Sequence, residues 1–301
     1  MGISYTGRSC DTEFRNDCGE FFTMSGLTDA GPIGVFDSGY GGLTILRQIK
    51  SLLPQYDYLY LGDNARAPYG TRSFDIVYKF TLQAVKYLFS RGCKLVILAC
   101  NTASAKALRT IQQQDLPQID PTRRVLGVIR PTVEKIGDVT HTCNIGILGT
   151  PGTIQSKSYD MEIDKMYGGK IKTFGQECPM WVPLVECMES NGNGADYFVQ
   201  KYINGLMNQC GEIDSVILGC THYPLLLNKI EKYIPDNVSI IEQGAIVAES
   251  LAGYLTRHPE MDIRCSKGGS VSYLTTENAE KFKGMATMFM GEDIEVSHVD
   301  L

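Results

Sequence analysis

Two cysteines stand in the same local setting. Cys100 lies in the run KLVILACNTASAKAL, from Lys94 to Leu108, and Cys220 in DSVILGCTHYPLLL, from Asp214 to Leu227. In each run Val-Ile-Leu leads through one small residue to the thiol, and a short polar stretch and a helix-like run follow. A thiol placed where a strand gives way to a helix N-terminus is expected to lose its proton more easily. Two matched proton-transfer groups facing each other suit one reaction class. One removes a proton from one face of a stereocentre, the other returns a proton to the opposite face, and the roles exchange in the reverse direction. His222, two residues beyond Cys220, can assist proton movement there, or it can be a cap or core histidine. Cys93, Cys143 and Cys210 read as ordinary buried thiols.

Other chemistry-bearing residues fall in loops that follow apolar runs. FDSGYGGLT puts Asp37 and Ser38 at a strand end, with Gly39, Gly41 and Gly42 close behind. It lacks the lysine and spacing of a phosphate loop, although its glycines would let backbone N–H groups approach an anion. Asp37 can orient an amino group, assist a base, or be an idle turn residue. NARAPYG ends in Tyr69 and Gly70, which can offer a hydroxyl and an N–H to a carboxylate or form a plain turn. CPMWVPLVE holds the single Trp and two prolines, reads as a loop, and ends in Glu186. That acid is either a surface residue or a partner for His222.

These loops need a scaffold, and the rest of the chain supplies one. PIGVFDSG, YDYLYLGD, KLVILAC and VLGVI read as buried strands, with helical runs between them. One of those runs, SFDIVYKFTLQAVKYLFS, aligns Phe74, Val77, Phe80, Ala84 and Leu88 on a helical stripe. NIGILGT, KIKTFG, DSVILGC and VSIIEQG repeat the rhythm, and SVSYLTT and DIEVSHVD close the chain. Alternating strands and helices predict an α/β protein with mostly parallel sheets covered on both faces. PIGVFDSG echoes NIGILGTPG as Cys100 echoes Cys220, which predicts an internal duplication. In open parallel sheets ligands bind beyond the carboxyl ends of the strands, where all these loops lie.

Composition narrows the function. The 301 residues are 43% apolar and 21% charged, with a net charge of −6. The acidic balance argues against nucleic-acid binding. No apolar run reaches the length of a membrane span. The ten cysteines, none in C-x-x-C spacing, read as reduced thiols, and the four scattered histidines argue against a zinc cluster. Residues 1–31 lack the apolar stretch of a signal peptide and read as a poorly ordered extension, with Met24 an alternative start.

In chain order, VFDSGYGGLT, YLGDNARAPYG, LACNTASA, GVIRPTVE, LGTPGTI, CPMWVPLVE and LGCTHYPLL resemble the successive motifs of the glutamate racemases, a family within the cofactor-independent aspartate/glutamate racemases. The resemblance runs from about Pro32 to the chain end. It implies two pseudo-symmetric α/β lobes with the active site in the cleft between them. The first lobe would comprise residues 32–130 and 245–301, and the second residues 131–244. Carried over by motif, Cys100 and Cys220 are the catalytic thiols, Cys100 taking the α-proton from D-glutamate and Cys220 from L-glutamate. Asp37 assists on the Cys100 side, and His222, backed by Glu186, on the Cys220 side. Asp37, Ser38, Tyr69, Gly70, Asn101, Thr102, Thr221 and His222 contact substrate. The resemblance further implies no cofactor, no metal, a homodimer, and a cytoplasmic enzyme whose D-glutamate feeds peptidoglycan synthesis. Tyr40, Arg130 and Thr132 depart from the family pattern. Rival readings are an aspartate racemase, a cysteine hydrolase built on Cys220 and His222, and a two-lobed binding protein.

Overall fold

The computed structural model describes residues 14–15, 21–22 and 30–301. Most of the expected extension therefore lies outside the described residues. Within it, β1 (Phe14–Arg15) and β2 (Phe21–Phe22) form an antiparallel pair.

The remaining strands build two parallel sheets. The first has six strands in the order β12-β11-β4-β3-β5-β6, and the second has four in the order β10-β9-β7-β8. In the first, β3 is Ile33–Asp37, β4 Tyr58–Gly62, β5 Leu95–Leu98, β6 Arg124–Gly127, β11 Val271–Thr275 and β12 Val296–His298; in the second, β7 is Asn144–Gly149, β8 Lys172–Glu177, β9 Ser215–Gly219 and β10 Ser239–Ile241. Strands β3, β4, β5, β7 and β9 are buried along their whole length. This is why they read as unbroken Val/Ile/Leu/Tyr runs rather than alternating ones.

The duplication is visible in topology and register. In each sheet the first strand of the repeat lies between the second and the third, with the fourth outermost: β4-β3-β5-β6 against β8-β7-β9-β10. Gly34 pairs with Val96 and Phe36 with Leu98 in the first sheet; Gly146 pairs with Val216 and Leu148 with Leu218 in the second. Cys100 and Cys220 thus leave equivalent strands two residues past equivalent pairs.

The lobes share an apolar core. Leu43 and Leu46 of the helix Gly42–Leu52, Leu251 of the helix Gln243–Arg257, and Trp181, Leu218 and Tyr223 beside the second sheet belong to one buried cluster. Each fully buried side chain of this size contributes roughly 1.5–3 kcal/mol, so the two halves are held together by packing as well as by chain connections. Among the described residues, no helix is long and apolar enough to cross a membrane.

Several local expectations need correction. CPMWVPLVE is not all loop, since Trp181–Glu186 is a short helix. Pro183 sits in its first turn, where no N–H is required of it. The stripe on the helix Phe74–Ser90 runs through Val77, Thr81, Ala84, Val85 and Leu88, while Phe74 is half-exposed. Phe80 is partly buried, packing against the core beside Tyr69 and also lying beneath the Arg66 guanidinium, 4.2 Å from ring centroid to Cζ. The helix after Cys100 breaks at Ala107 and passes through a π-helical segment, Ile111–Asp115, just before Pro117. All eight described cysteines are free; Cys93 is buried, but Cys143 is exposed and Cys210 only partly covered.

Candidate active site

The site is assembled where strand ends of the two sheets meet. β5 stops at Leu98, and Cys100 caps the helix Asn101–Lys106, its sulfur accepting from the Ala103 N–H at 3.4 Å. β9 stops at Gly219, and Cys220 opens a turn that enters a 3-10 segment, Tyr223–Leu226, with Pro224 at its start. Both thiols line one small cavity of about 90 Å³. Ser38, Tyr69, Gly70, Asn101, Thr102, Thr221, His222 and Glu186 line it too. Every expected site residue but one is therefore brought to a common space.

The exception is Asp37. It is fully buried, is not part of the cavity wall, and lies behind it at the end of β3. Its Oδ2 accepts from the Gly39 N–H at 3.0 Å, while Oδ1 has no protein partner. Burial raises its pKa above the ordinary carboxylate value, against the opposing pull of His222 and the Gly42 and Gly39 N–H groups.

The two thiols have different surroundings. Cys100 Sγ lies 3.3 Å from Ser38 Oγ. Burial, reinforced by the nearby Asp37 charge, pushes its pKa up to about 12 despite hydrogen bonds from Ser38 and the Ala103 N–H. The expectation that the helix N-terminus would ease ionisation is overturned for Cys100: desolvation outweighs the cap. On the other side, Cys220 Sγ is 3.9 Å from His222 Nδ1, and His222 Nε2 is 3.0 Å from Glu186 Oε1. Burial opposes charge on His222, but hydrogen bonds to Cys220 and Glu186 and their negative charge raise its pKa to about 10. Those partners favour the imidazolium form, set beside a sulfur whose negative charge it would stabilise.

The glycines of FDSGYGGLT have a steric purpose. A Cβ on Gly41 would lie 2.2 Å from Thr221 Oγ1 and 2.5 Å from His222 Nδ1. The first-lobe turn is thus seated directly on the second-lobe turn that carries Cys220 and His222, an approach only glycine permits. Thr44 Oγ1 strengthens the seat by donating to the Thr221 carbonyl at 3.2 Å. No anion-binding role is needed to explain these residues.

The Tyr69 hydroxyl is not offered to the cavity. It donates to Asp63, which also holds Arg66 at 2.7 Å and Thr276 at 2.9 Å. What Tyr69 and Gly70 present is ring and backbone. Across the cleft, the Gly152 N–H donates to the Gly70 carbonyl at 2.7 Å. Thr102 Oγ1 meets Thr150 Oγ1 at 2.9 Å and Thr153 Oγ1 at 3.3 Å. Thr150 lines the cavity and was missed as a site residue. The register could have found it, because Asp37-Ser38 after β3 corresponds to Gly149-Thr150 after β7. Tyr40 stacks on Phe282 and Phe289, with centroids 5.1 and 6.1 Å away, and Phe289 meets the His222 ring edge-on at 5.8 Å. Arg130 pairs with Glu134 at 3.1 Å and borders a separate groove of about 570 Å³ along the lobe junction, which contains none of the expected site residues.

Residues 34–251 match the family model described as Asp/Glu/Hydantoin racemase. The chain belongs to this racemase family. Among its relatives, the glutamate racemase of Ruegeria sp. strain TM1040 is 38% identical over 275 residues, covering 87% of this chain and 97% of that protein. The glutamate racemase of Streptococcus thermophilus is 35% identical over 274 residues, covering 91% and 97%. Among solved structures, a glutamate racemase isoform from Bacillus anthracis superposes with a TM-score of 0.81 at 33% identity, covering 90% of this chain and 98% of that one. The Francisella tularensis glutamate racemase, solved in complex with D-glutamate, gives a TM-score of 0.79 at 31% identity, with 90% and 98% covered. The racemase family's two-lobed α/β architecture is the one described above.

Proposed function

We propose that the protein is an amino-acid racemase that interconverts L- and D-glutamate by two-base proton transfer between Cys100 and Cys220, without a cofactor. The observation that carries this is the meeting of two thiols, from equivalent positions of two repeated lobes, in one small cavity. The Ruegeria and Streptococcus relatives are glutamate racemases, and the Francisella structure holds D-glutamate. Both support glutamate as the substrate.

In the L-to-D direction Cys220, as thiolate beside the His222 cation, takes the α-proton. The C–H electron pair stays on the α-carbon and spreads into the adjoining carboxylate. The Cys100 thiol then delivers its proton to the opposite face, leaving Cys220 protonated and Cys100 ionised. The D-to-L direction runs the same steps in reverse. Fixed donors must hold the substrate carboxylate as its charge grows; Ser38, Asn101, Thr102, Thr221 and the Gly70 backbone are assigned that task, with Tyr69 supplying wall and backbone. Glu186 keeps His222 charged. Asp37 acts from behind Cys100, where its unpartnered oxygen and raised pKa suit it to balance charge as that thiol ionises. The lobes divide at 130/131 and 244/245. The D-glutamate feeds peptidoglycan synthesis in the cytoplasm, and the enzyme works as a homodimer.

The test is the optical signal of L-glutamate, and separately of L-aspartate, incubated with the purified protein. Decay to zero for glutamate, much faster than for aspartate, is expected. A stable glutamate signal over well-folded protein would sink the assignment.

A further inference from the structure

Asn101, the residue after Cys100, does not hold its carboxamide alone. Asn101 Nδ2 donates to Gln243 Oε1 at 2.6 Å, Gln243 Nε2 donates to the Tyr159 hydroxyl at 2.8 Å, and that hydroxyl donates to Asn101 Oδ1 at 2.7 Å. The three side chains close a ring, and all are buried.

The branches off the ring favour one direction. Gln243 Nε2 also donates to Thr132 Oγ1 at 2.9 Å, and Thr132 spends its one proton on the Val128 carbonyl at 2.7 Å. A hydroxyl has one proton to give. Were the Gln243 amide reversed, its oxygen would face Thr132, which would have to give up its bond to the Val128 carbonyl to meet it, and the amide would lose its own donation to that carbonyl at 3.5 Å. Gln243 Oε1 accordingly faces Asn101. Asn101 must then turn Nδ2 toward Gln243 and Oδ1 toward Tyr159. This commits one of its two Nδ2 protons and leaves the other for the cavity it lines.

The members come from separate parts of the fold. Asn101 follows β5 of the six-stranded sheet. Tyr159 is on the helix Ser158–Tyr167 beside the four-stranded sheet. Thr132 and Gln243 sit on the helices Ile129–Val139 and Gln243–Arg257, in the two stretches where the chain passes between sheets. The ring closes only when all of these are in register.

We propose that Gln243, Tyr159 and Thr132 are positioning residues. They lock the Asn101 carboxamide so that it offers an N–H, not an oxygen, to the substrate carboxylate, and they tie that orientation to the way the two lobes are joined. The inference rests on the glutamate reading for its substrate, but the ring itself can be tested without it.

Gln243→Met keeps length and removes all four amide hydrogen bonds, to Asn101, Tyr159, Thr132 and the Val128 carbonyl. It should lower kcat/KM for glutamate about tenfold, the order expected for buried hydrogen bonds lost beside a charged ligand. Tyr159→Phe should lower it less. In an Asn101→Ala background both substitutions should cost nothing further, because they act through Asn101. The same loss in that background, or no loss in either, would overturn the proposal. If Gln243→Met does not fold, Tyr159→Phe, which lacks one hydroxyl, carries the cycle alone. In substrate-free protein, NMR should show a slowly exchanging Asn101 side-chain amide that becomes fast in Tyr159→Phe. Fast exchange in the wild type would overturn the ring even if glutamate proved not to be the substrate, whereas an inert wild type with a protected amide would overturn only the glutamate reading.

Discussion

The two lobes present the same scaffold with different chemistry at its tip. Strand order and register superimpose β3 and β5 on β7 and β9, and Cys100 on Cys220. The neighbours do not match. Asp37 corresponds to Gly149, Asn101 to Thr221, and Thr102 to His222. On one side a buried thiol, pushed up to about 12, sits near an acid; on the other a sulfur faces an imidazole whose pKa is raised to about 10 by Cys220 and Glu186 against its burial. Duplication supplied two thiols on opposite walls, and divergence made them unequal. On the reading proposed above, that inequality suits Cys100 to give a proton and Cys220 to take one when the reaction begins from the L-enantiomer.

The largest effect should come from removing either thiol. Cys100→Ala and Cys220→Ala should each lower racemisation by about 10²–10⁴-fold, the range for a lost general acid or base. Enantiomers have equal free energies, so kcat/KM must remain equal in the two directions. The lobes' inequality has to be sought in kcat and KM separately. Near-normal turnover by either variant would mean that the lobes are not partners in one reaction.

A smaller effect tests the seat between the lobes. Gly41→Ala places a carbon against Thr221 and His222 and should cost about 1–3 kcal/mol of stability, measured by denaturant unfolding, together with much of the activity. Gly149→Ala presses chiefly on the Ile154 side chain, at 2.9 Å, with Thr153 Cβ at an ordinary 3.4 Å, and should cost less. Equal costs would show that the first-lobe turn does not bear on the Thr221–His222 turn.

The smallest effect is on pH. The pKa of His222 is raised from 6.5 to about 10. Its partners therefore add stability that is fully present below about pH 6.5 and is lost as pH rises through about 10. Glu186→Gln should lower the His222 midpoint and end that window sooner, as read by imidazole NMR and by Tm against pH. A wild-type midpoint near 6.5 would remove the cation from the Cys220 side.

Much of this was legible in the sequence because it is local. Each apolar run ending in a polar turn announced a strand and its loop, and the two VIL-x-Cys cores announced the repeat. What escaped depended on enclosure or on distant partners. Cys100 has the cap that should ease ionisation, yet burial in an apolar cluster with Phe36, Tyr69 and Ala103 reverses the outcome. The Tyr69 hydroxyl seemed available until Asp63 claimed it. Gln243 reaches Asn101 across 142 positions, and no spacing rule links them. Pro179 and Pro183 suggested a loop because a proline that begins a helix and one that prevents it look alike in sequence.

The central claim is that two different groups move the proton, one on each face. It is tested most directly by following α-deuterium in both enantiomers at early times, starting from protiated L-glutamate in D₂O. The account predicts deuterium in the D-glutamate formed and almost none in the L-glutamate recovered, because Cys220 takes the proton and Cys100 supplies the deuteron. Deuterium entering recovered L-glutamate as fast as it enters product would mean that one group serves both faces, and would contradict the account.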